Sequence, residues 1–306
     1  MTQGPSFTAK VVAALIRIVD AKSHVSYEQA YERWGSAALR AGEPEYQLPH
    51  RPRMHCTIHS VRMSGMKVFR LNGRSDAETI IFYHHGGGWV KEPNPFHWRF
   101  LDKLIEATGV AAIVPVYLKA PFHDSQESLD CLEDFYLQYR ELHPDKRIIF
   151  MGDSAGASIS LNLMQRFAAK GIEQPAAAIL LAPVCDLALD NPLIPDIDPK
   201  DCMLHQPSCK AWGDLWANGR DSKDPLISPL FADVDGLPPI TLYYGTADIL
   251  YPDGELMFQK LQEAGVECQM VVAPGMGHVY PLWPFAPESK QASAAIFTQV
   301  KELAAD

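Results

Sequence analysis

The chain has 306 residues, enough to bury a sizeable core as one large α/β domain or as two domains of ordinary size. Hydrophobic residues make up 47% and charged residues 21%, a globular balance that excludes a disordered chain. With 27 basic and 37 acidic side chains the net charge is −10, which argues against nucleic acid and anionic membranes as partners.

Residues 1–53 read as helical, with Tyr27, Tyr31 and Trp34 among them, and end in the proline-broken stretch Pro44–Pro52. Within them the apolar run Val11–Val19 is about half the ~20 residues of a membrane span, and Arg17 interrupts it. The same arginine spoils the continuous apolar region of a signal peptide, so the expectation is a soluble, cytoplasmic protein without a membrane span. Two short β-rich runs follow at 54–62 and 66–71, close enough to form an antiparallel hairpin at a sheet edge. Further runs come at 79–84, 110–116, 147–151, 176–182, 239–245 and 267–273. Most of these are continuously apolar, as in strands covered on both faces.

Helical patterns alternate with the strands at 96–107, 124–140, 154–170, 252–265 and 286–304, and Gly171 and Gly265 suit C-terminal caps. This alternation predicts an α/β fold, a mostly parallel central sheet of about eight strands with helices on both faces. Residues 187–227 break the rhythm with Pro192, Pro195, Pro199 and Pro207, then Trp212 and Trp216. Together with 1–53 they read as a helical cap over one end of the sheet, within a single domain spanning 1–306. None of the six cysteines (Cys56, Cys131, Cys185, Cys202, Cys209 and Cys268) stands in a C-x-x-C pair, so no metal centre is expected. They read as reduced thiols, with a Cys202–Cys209 disulfide as the alternative.

Gly152-Asp153-Ser154-Ala155-Gly156 lies where an apolar strand gives way to a helix. A G-x-S-x-G frame at such a junction forces the serine into a strained turn and leaves its hydroxyl exposed, while the helix start aims N–H groups at developing negative charge. In any other setting the serine would merely cap a helix. A second element, His84-His85-Gly86-Gly87-Gly88-Trp89, follows the strand 79–84. Its glycines let backbone amides approach a substrate oxygen, so Gly87, Gly88 and Ala155 are the candidate oxyanion donors, and His85 a brace for the loop.

A serine needs a base. His278, in a glycine-rich loop between the last strand and the last helix, can reach the same edge of the sheet. His97, His123, His143 and His205 read as surface or cap residues. The acid that orients the imidazole is expected at Asp248, just after the strand 239–245, with Asp186 and Asp253 as rivals. The order Ser154, Asp248, His278 is that of the α/β-hydrolases.

With these motifs in place, the sequence resembles the hormone-sensitive-lipase branch of the α/β-hydrolases, which includes many bacterial carboxylesterases. The resemblance is carried in family order by HGGGW at 85–89, GDSAG at 152–156, SPL at 228–230, LPP at 237–239, GTADIL at 245–250 and GMGH at 275–278. It implies hydrolysis of a small-molecule carboxylic ester through an acyl-enzyme, without a cofactor, under a cap corresponding to 1–53 and 187–227. Ala157 and Ser158 depart from the Gly-Asn often found after the serine motif, and Val116–Pro121 matches the usual tyrosine-arginine stretch only in part. An amide or peptide hydrolase, or a carbohydrate deacetylase, would use the same groups. A non-catalytic ligand-binding member should have lost one of the three. Oligomeric state is left open, a homo-oligomer included. For substrate, the absence of a long leucine-rich lid and the bulk of Trp34, Trp89, Trp212 and Trp216 predict short acyl chains of about two to six carbons, although these rings would serve equally well as core.

Overall fold

The apolar runs become strands because their branched and aromatic side chains are covered on both faces. In the computed structural model, which describes residues 4–19, 24–50, 53–71 and 77–305, they are β1 (Ile58–Met63), β2 (Met66–Leu71), β3 (Thr79–His84), β4 (Ala111–Val116), β5 (Arg147–Asp153), β6 (Ala177–Leu181), β7 (Ile240–Gly245) and β8 (Cys268–Ala273). They form one eight-stranded sheet in the order β1-β2-β4-β3-β5-β6-β7-β8. β1 and β2 pair antiparallel at one edge, β2 meets β4 antiparallel, and every other pairing is parallel. Every residue of β3, β4, β6 and β7 is buried. β8 differs from the expectation of a covered strand: it is the far edge and stays half-exposed. β5 runs to Asp153, two residues past its apolar stretch, so Ser154 follows the strand directly.

The helices are α1 (Phe7–Val19), α2 (Tyr27–Tyr31), α3 (Ala37–Ala41), α4 (Pro95–Thr108), α5 (Ser125–Leu142), α6 (Ala155–Lys170), α7 (Ile194–Ile197), α8 (Gln206–Ala217), α9 (Tyr251–Glu263) and α10 (Pro287–Ala305). Local chemistry sets their ends. Asn94 caps α4 by accepting the Phe96 N–H at 2.9 Å, with Pro95 in the first turn. Asp124 caps α5 through the Glu127 N–H at 2.9 Å. Gly171 ends α6 in the left-handed conformation. Between α2 and α3 the helix continues through a π turn, Glu32–Ser36, a register change that no residue pattern announced.

Under the sheet, Phe82, Phe135, Tyr136, Phe150 and Phe167 interlock, with Tyr136 stacked on Phe167 at 4.5 Å between ring centres. The two irregular segments pack on each other. Gly35 lies against Leu215, the Tyr27 hydroxyl donates to Asp214 at 2.7 Å, and Arg17 donates to the Pro199 and Asp201 carbonyls. Residues 1–3, 20–23 and 51–52 of the expected cap lie outside the described residues. All six cysteines are free, so the Cys202–Cys209 disulfide is not formed.

Candidate active site

The loops that leave the carboxyl ends of β3, β5, β7 and β8 meet over one end of the sheet, the usual position for a site in an open α/β sheet. Ser154 occupies the residue between β5 and α6 with φ 54° and ψ −126°, a conformation that a non-glycine residue adopts only under constraint. The constraint is close packing. A Cβ on Gly156 would lie 2.1 Å from the His84 carbonyl oxygen, so only glycine lets α6 start against the end of β3.

Gly87 (φ 129°) and Gly88 (φ 61°) take conformations that suit glycine, and the Gly87 carbonyl accepts from Val90 and Lys91 to close a tight turn. Behind it, His85 is fully buried, stacked on Tyr117 at 4.4 Å, with Nδ1 2.8 Å from the Gly86 carbonyl. Facing a carbonyl, Nδ1 carries the proton and donates. Burial holds the pKa of this ring well below the usual histidine value, so it stays neutral and braces the loop.

Two residues outside the predicted set fix this corner. Asp153 Oδ1 accepts from the Tyr83 hydroxyl at 2.7 Å and the Gly86 N–H at 3.0 Å. Its Oδ2 faces His97 Nε2 at 3.1 Å, and His97 Nδ1 accepts the Asn94 N–H at 2.9 Å, which places the proton on Nε2. Burial alone would raise the Asp153 pKa, but His97, Tyr83 and the Gly86 amide outweigh it and hold the carboxyl below its ordinary value. The position of Asp153 inside G-D-S-A-G was the available signal. His97, expected at the surface or in the cap, is buried as the other half of this clamp.

Opposite, His278 Nδ1 lies 2.8 Å from Asp248 Oδ2, and both side chains are buried. The loops carrying them are stitched together: Ala247 N–H donates to the Met276 carbonyl at 2.9 Å, and Gly275 N–H to Thr246 Oγ1 at 2.8 Å. Trp283 Nε1 donates to the His278 carbonyl at 2.9 Å, a support the sequence did not announce. Burial works to lower the His278 pKa, yet the Asp248 carboxylate, joined by Asp201 and Asp153, prevails and the net shift is upward. The rival acids are engaged elsewhere. Asp186 accepts the Ala188 N–H, and Asp253 the Asn191 side-chain amide, each at 2.8 Å.

Ser154, His278, Gly87 and Gly88 line one cavity of about 450 Å³. Of the four predicted pocket rings, Trp89 and Trp212 line it, whereas Trp34 and Trp216 do not. Trp216 lies one turn beyond Trp212 on α8 and stacks behind Trp89 at 5.8 Å. Trp34 is separated from the cavity by Lys91, whose ammonium sits 5.3 Å from its ring and 4.1 Å from that of Trp212. The sequence shows no long leucine-rich lid, but an apolar rim does flank the cavity. Leu15 and Val19 of α1, with Phe96 and Phe285, line the cavity and are also exposed, and Phe7 and Ile18 extend the exposed face of α1. Among the described residues no cluster of His, Cys, Asp and Glu could hold a metal ion, and no helix is long and apolar enough to cross a membrane.

A family model described as alpha/beta hydrolase fold matches residues 81–282. The chain is 30% identical over 243 residues to an esterase of Acinetobacter venetianus, covering 78% of this chain and 80% of that protein. It is 27% identical over 273 residues to an acetyl-hydrolase of Streptomyces hygroscopicus, covering 88% and 85%. Its fold is similar to the crystal structure of an esterase from the bacterial hormone-sensitive lipase family, with a TM-score of 0.83 at 22% identity, covering 99% of this chain and 100% of that one.

Proposed function

The chain belongs to the α/β-hydrolase family and is an ester hydrolase, and from that premise we propose that it works as a serine carboxylesterase on short acyl chains. The observation that carries this reading is the buried His278–Asp248 pair, opening on the same cavity as the strained Ser154. With Nδ1 bound to Asp248, His278 has Nε2 left to take the proton from Ser154 as Oγ adds to the ester carbonyl. The carbonyl oxygen becomes negative, and the N–H groups of Gly87, Gly88 and Ala155 receive it. The imidazolium then protonates the departing alkoxide, an acyl-serine remains, and water activated by the same imidazole releases the acid.

Short chains are supported by Trp212, whose ring presses so closely on the loop that a Cβ at Gly88 would fall 2.6 Å from it. The acetyl-hydrolase relative points the same way. A longer-chain reading is favoured by one observation, the exposed apolar rim formed by Leu15, Val19 and Phe285. In this reading α1 to α3 and the 187–227 segment act as a cap, supported by their mutual contacts and their shared lining of the cavity. The test has two parts. A fluorophosphonate probe should label Ser154 in intact protein and nowhere in Ser154→Ala, as read by mass spectrometry. A series of p-nitrophenyl esters should give a kcat/KM peak at about two to six carbons, where added burial of ~0.8 kcal/mol per methylene meets the wall. Labelling elsewhere removes the serine mechanism, and efficiency still climbing at about ten carbons replaces the short pocket with the longer one.

A further inference from the structure

Asp201 lies between α7 and α8, in the 187–227 segment, and is fully buried. Its Oδ1 accepts the N–H groups of Met203 and Leu204, both at 2.9 Å, the local turn that aspartate commonly makes. Its Oδ2 reaches out of the segment and accepts the N–H of Ile249 at 3.0 Å. Ile249 directly follows Asp248, whose own Oδ1 accepts the next amide, that of Leu250, at 2.9 Å. Two carboxylates therefore hold successive amides of one turn, beside the imidazole of His278. From α1, Arg17 fixes the same stretch by donating to the carbonyls of Asp201 and Pro199 at 2.8 and 2.9 Å.

We propose that Asp201 is a positioning residue for ester hydrolysis, which fixes the turn carrying Asp248 and through it the acid that orients His278. This rests on the reading of Ser154, Asp248 and His278 as the reacting set. A turn made for its own sake would need only Oδ1; the reach of Oδ2 to Ile249 joins the segment to the acid loop. All three partners of the carboxyl group are N–H donors, which favour its charged form. Burial and the Asp248 charge oppose them and push the Asp201 pKa up to about 7, while His278 and the Leu204 and Met203 amides pull it down. The other groups that act here are few. Arg17 meets the Asp201 carbonyl, Asp153 acts on His278 from the serine side, and burial pushes the Cys202 and Cys209 thiols up so that they stay neutral.

The experiment measures kcat, KM and the pH profile on one soluble ester for the native chain, Asp201→Asn, Asp201→Ser, Asp248→Asn and the Asp201→Asn/Asp248→Asn double variant. Serine keeps an acceptor for the local turn but has neither charge nor reach to Ile249. Both Asp201 variants should lose kcat on the order of tenfold or more with KM within about threefold, since positioning errors act on the reacting geometry. Their acid limb should move to lower pH, because the Asp201 carboxyl, in its ionised form, favours imidazolium. In the Asp248→Asn background the Asp201→Asn change should cost less than about threefold, the signature of residues acting through each other. Unchanged kcat and acid limb, or equal losses in both backgrounds, would overturn the proposal and leave the triad standing. Loss of the cooperative thermal transition in both variants would also overturn it, as a purely structural residue. Near-native turnover by Asp248→Asn would sink the triad reading instead.

Discussion

The floor of the cavity, made by the loops after β3, β5, β7 and β8, is held by hydrogen bonds and near-touching backbone. The roof, made by α1, α8 and the segment around Trp283, offers apolar side chains and rings. On the floor the carboxylates are held by named donors and the backbone is close-packed: Asp153 has three partners, Asp248 binds His278 and Leu250, and Gly156 abuts the His84 carbonyl. On the roof, Trp212, Leu15 and Val19 contribute area, and area is exchangeable. The floor should therefore respond to single changes by orders of magnitude, and the roof by graded shifts in preference.

The largest effect that tests this contrast is at Ser154. Ser154→Ala should cost on the order of 10⁶ in turnover, and the melting temperature should hardly move, since the hydroxyl adds little packing. Retention of about 1% of native activity or more, with contaminating esterase excluded, would break the contrast at its strongest point. Next comes Asp248→Asn, expected to lower kcat by about 10⁴ because the amide favours the wrong imidazole tautomer. Asp186→Asn and Asp253→Asn, whose carboxylates bind Ala188 and Asn191, should leave kcat within about tenfold of native on the same assay.

A smaller effect concerns pH. In the proposed mechanism His278 is a base only when neutral, and its pKa is raised above the ordinary value of about 6.5. Activity should therefore fall as pH drops through a midpoint above about 6.5 in a kcat/KM profile; a midpoint below it would mean that burial outweighs the neighbouring carboxylates. The smallest effect belongs to the roof. Trp212→Leu keeps apolar cover but withdraws the wall beside Gly88, so the best p-nitrophenyl ester should lengthen by about two carbons, with less than tenfold change at the original optimum. A collapse of kcat on every ester would show that this ring belongs to the floor.

The same contrast explains what the sequence disclosed. Ser154, Gly87, Gly88, Asp248 and His278 could be singled out as candidates because each would need a special backbone or a fixed place at a strand end, and such needs leave glycines and strand-loop-helix junctions in the chain. The strands were legible for a similar reason, since burial on both faces demands continuous apolar runs. Asp201 was not, because an aspartate that accepts main-chain amides looks the same in sequence as one on the surface, and Asp153 showed itself only by its place inside G-D-S-A-G. Nor could sequence divide the rings. Trp212 and Trp216 stand one helical turn apart on α8, and only the placement of Trp89 decides which of them meets the cavity. The exposed face of α1 escaped notice because its opposite face is apolar too.

Three of the chain's six tryptophans, Trp89, Trp212 and Trp283, border the space an ester would fill. Indole emission moves to shorter wavelength when water beside the ring is replaced by hydrocarbon. The unmodified protein thus carries its own optical reporter of occupancy. In Ser154→Ala, where bound ester is not consumed, a titration followed by intrinsic fluorescence would give the ground-state affinity of each acyl chain separately from its turnover.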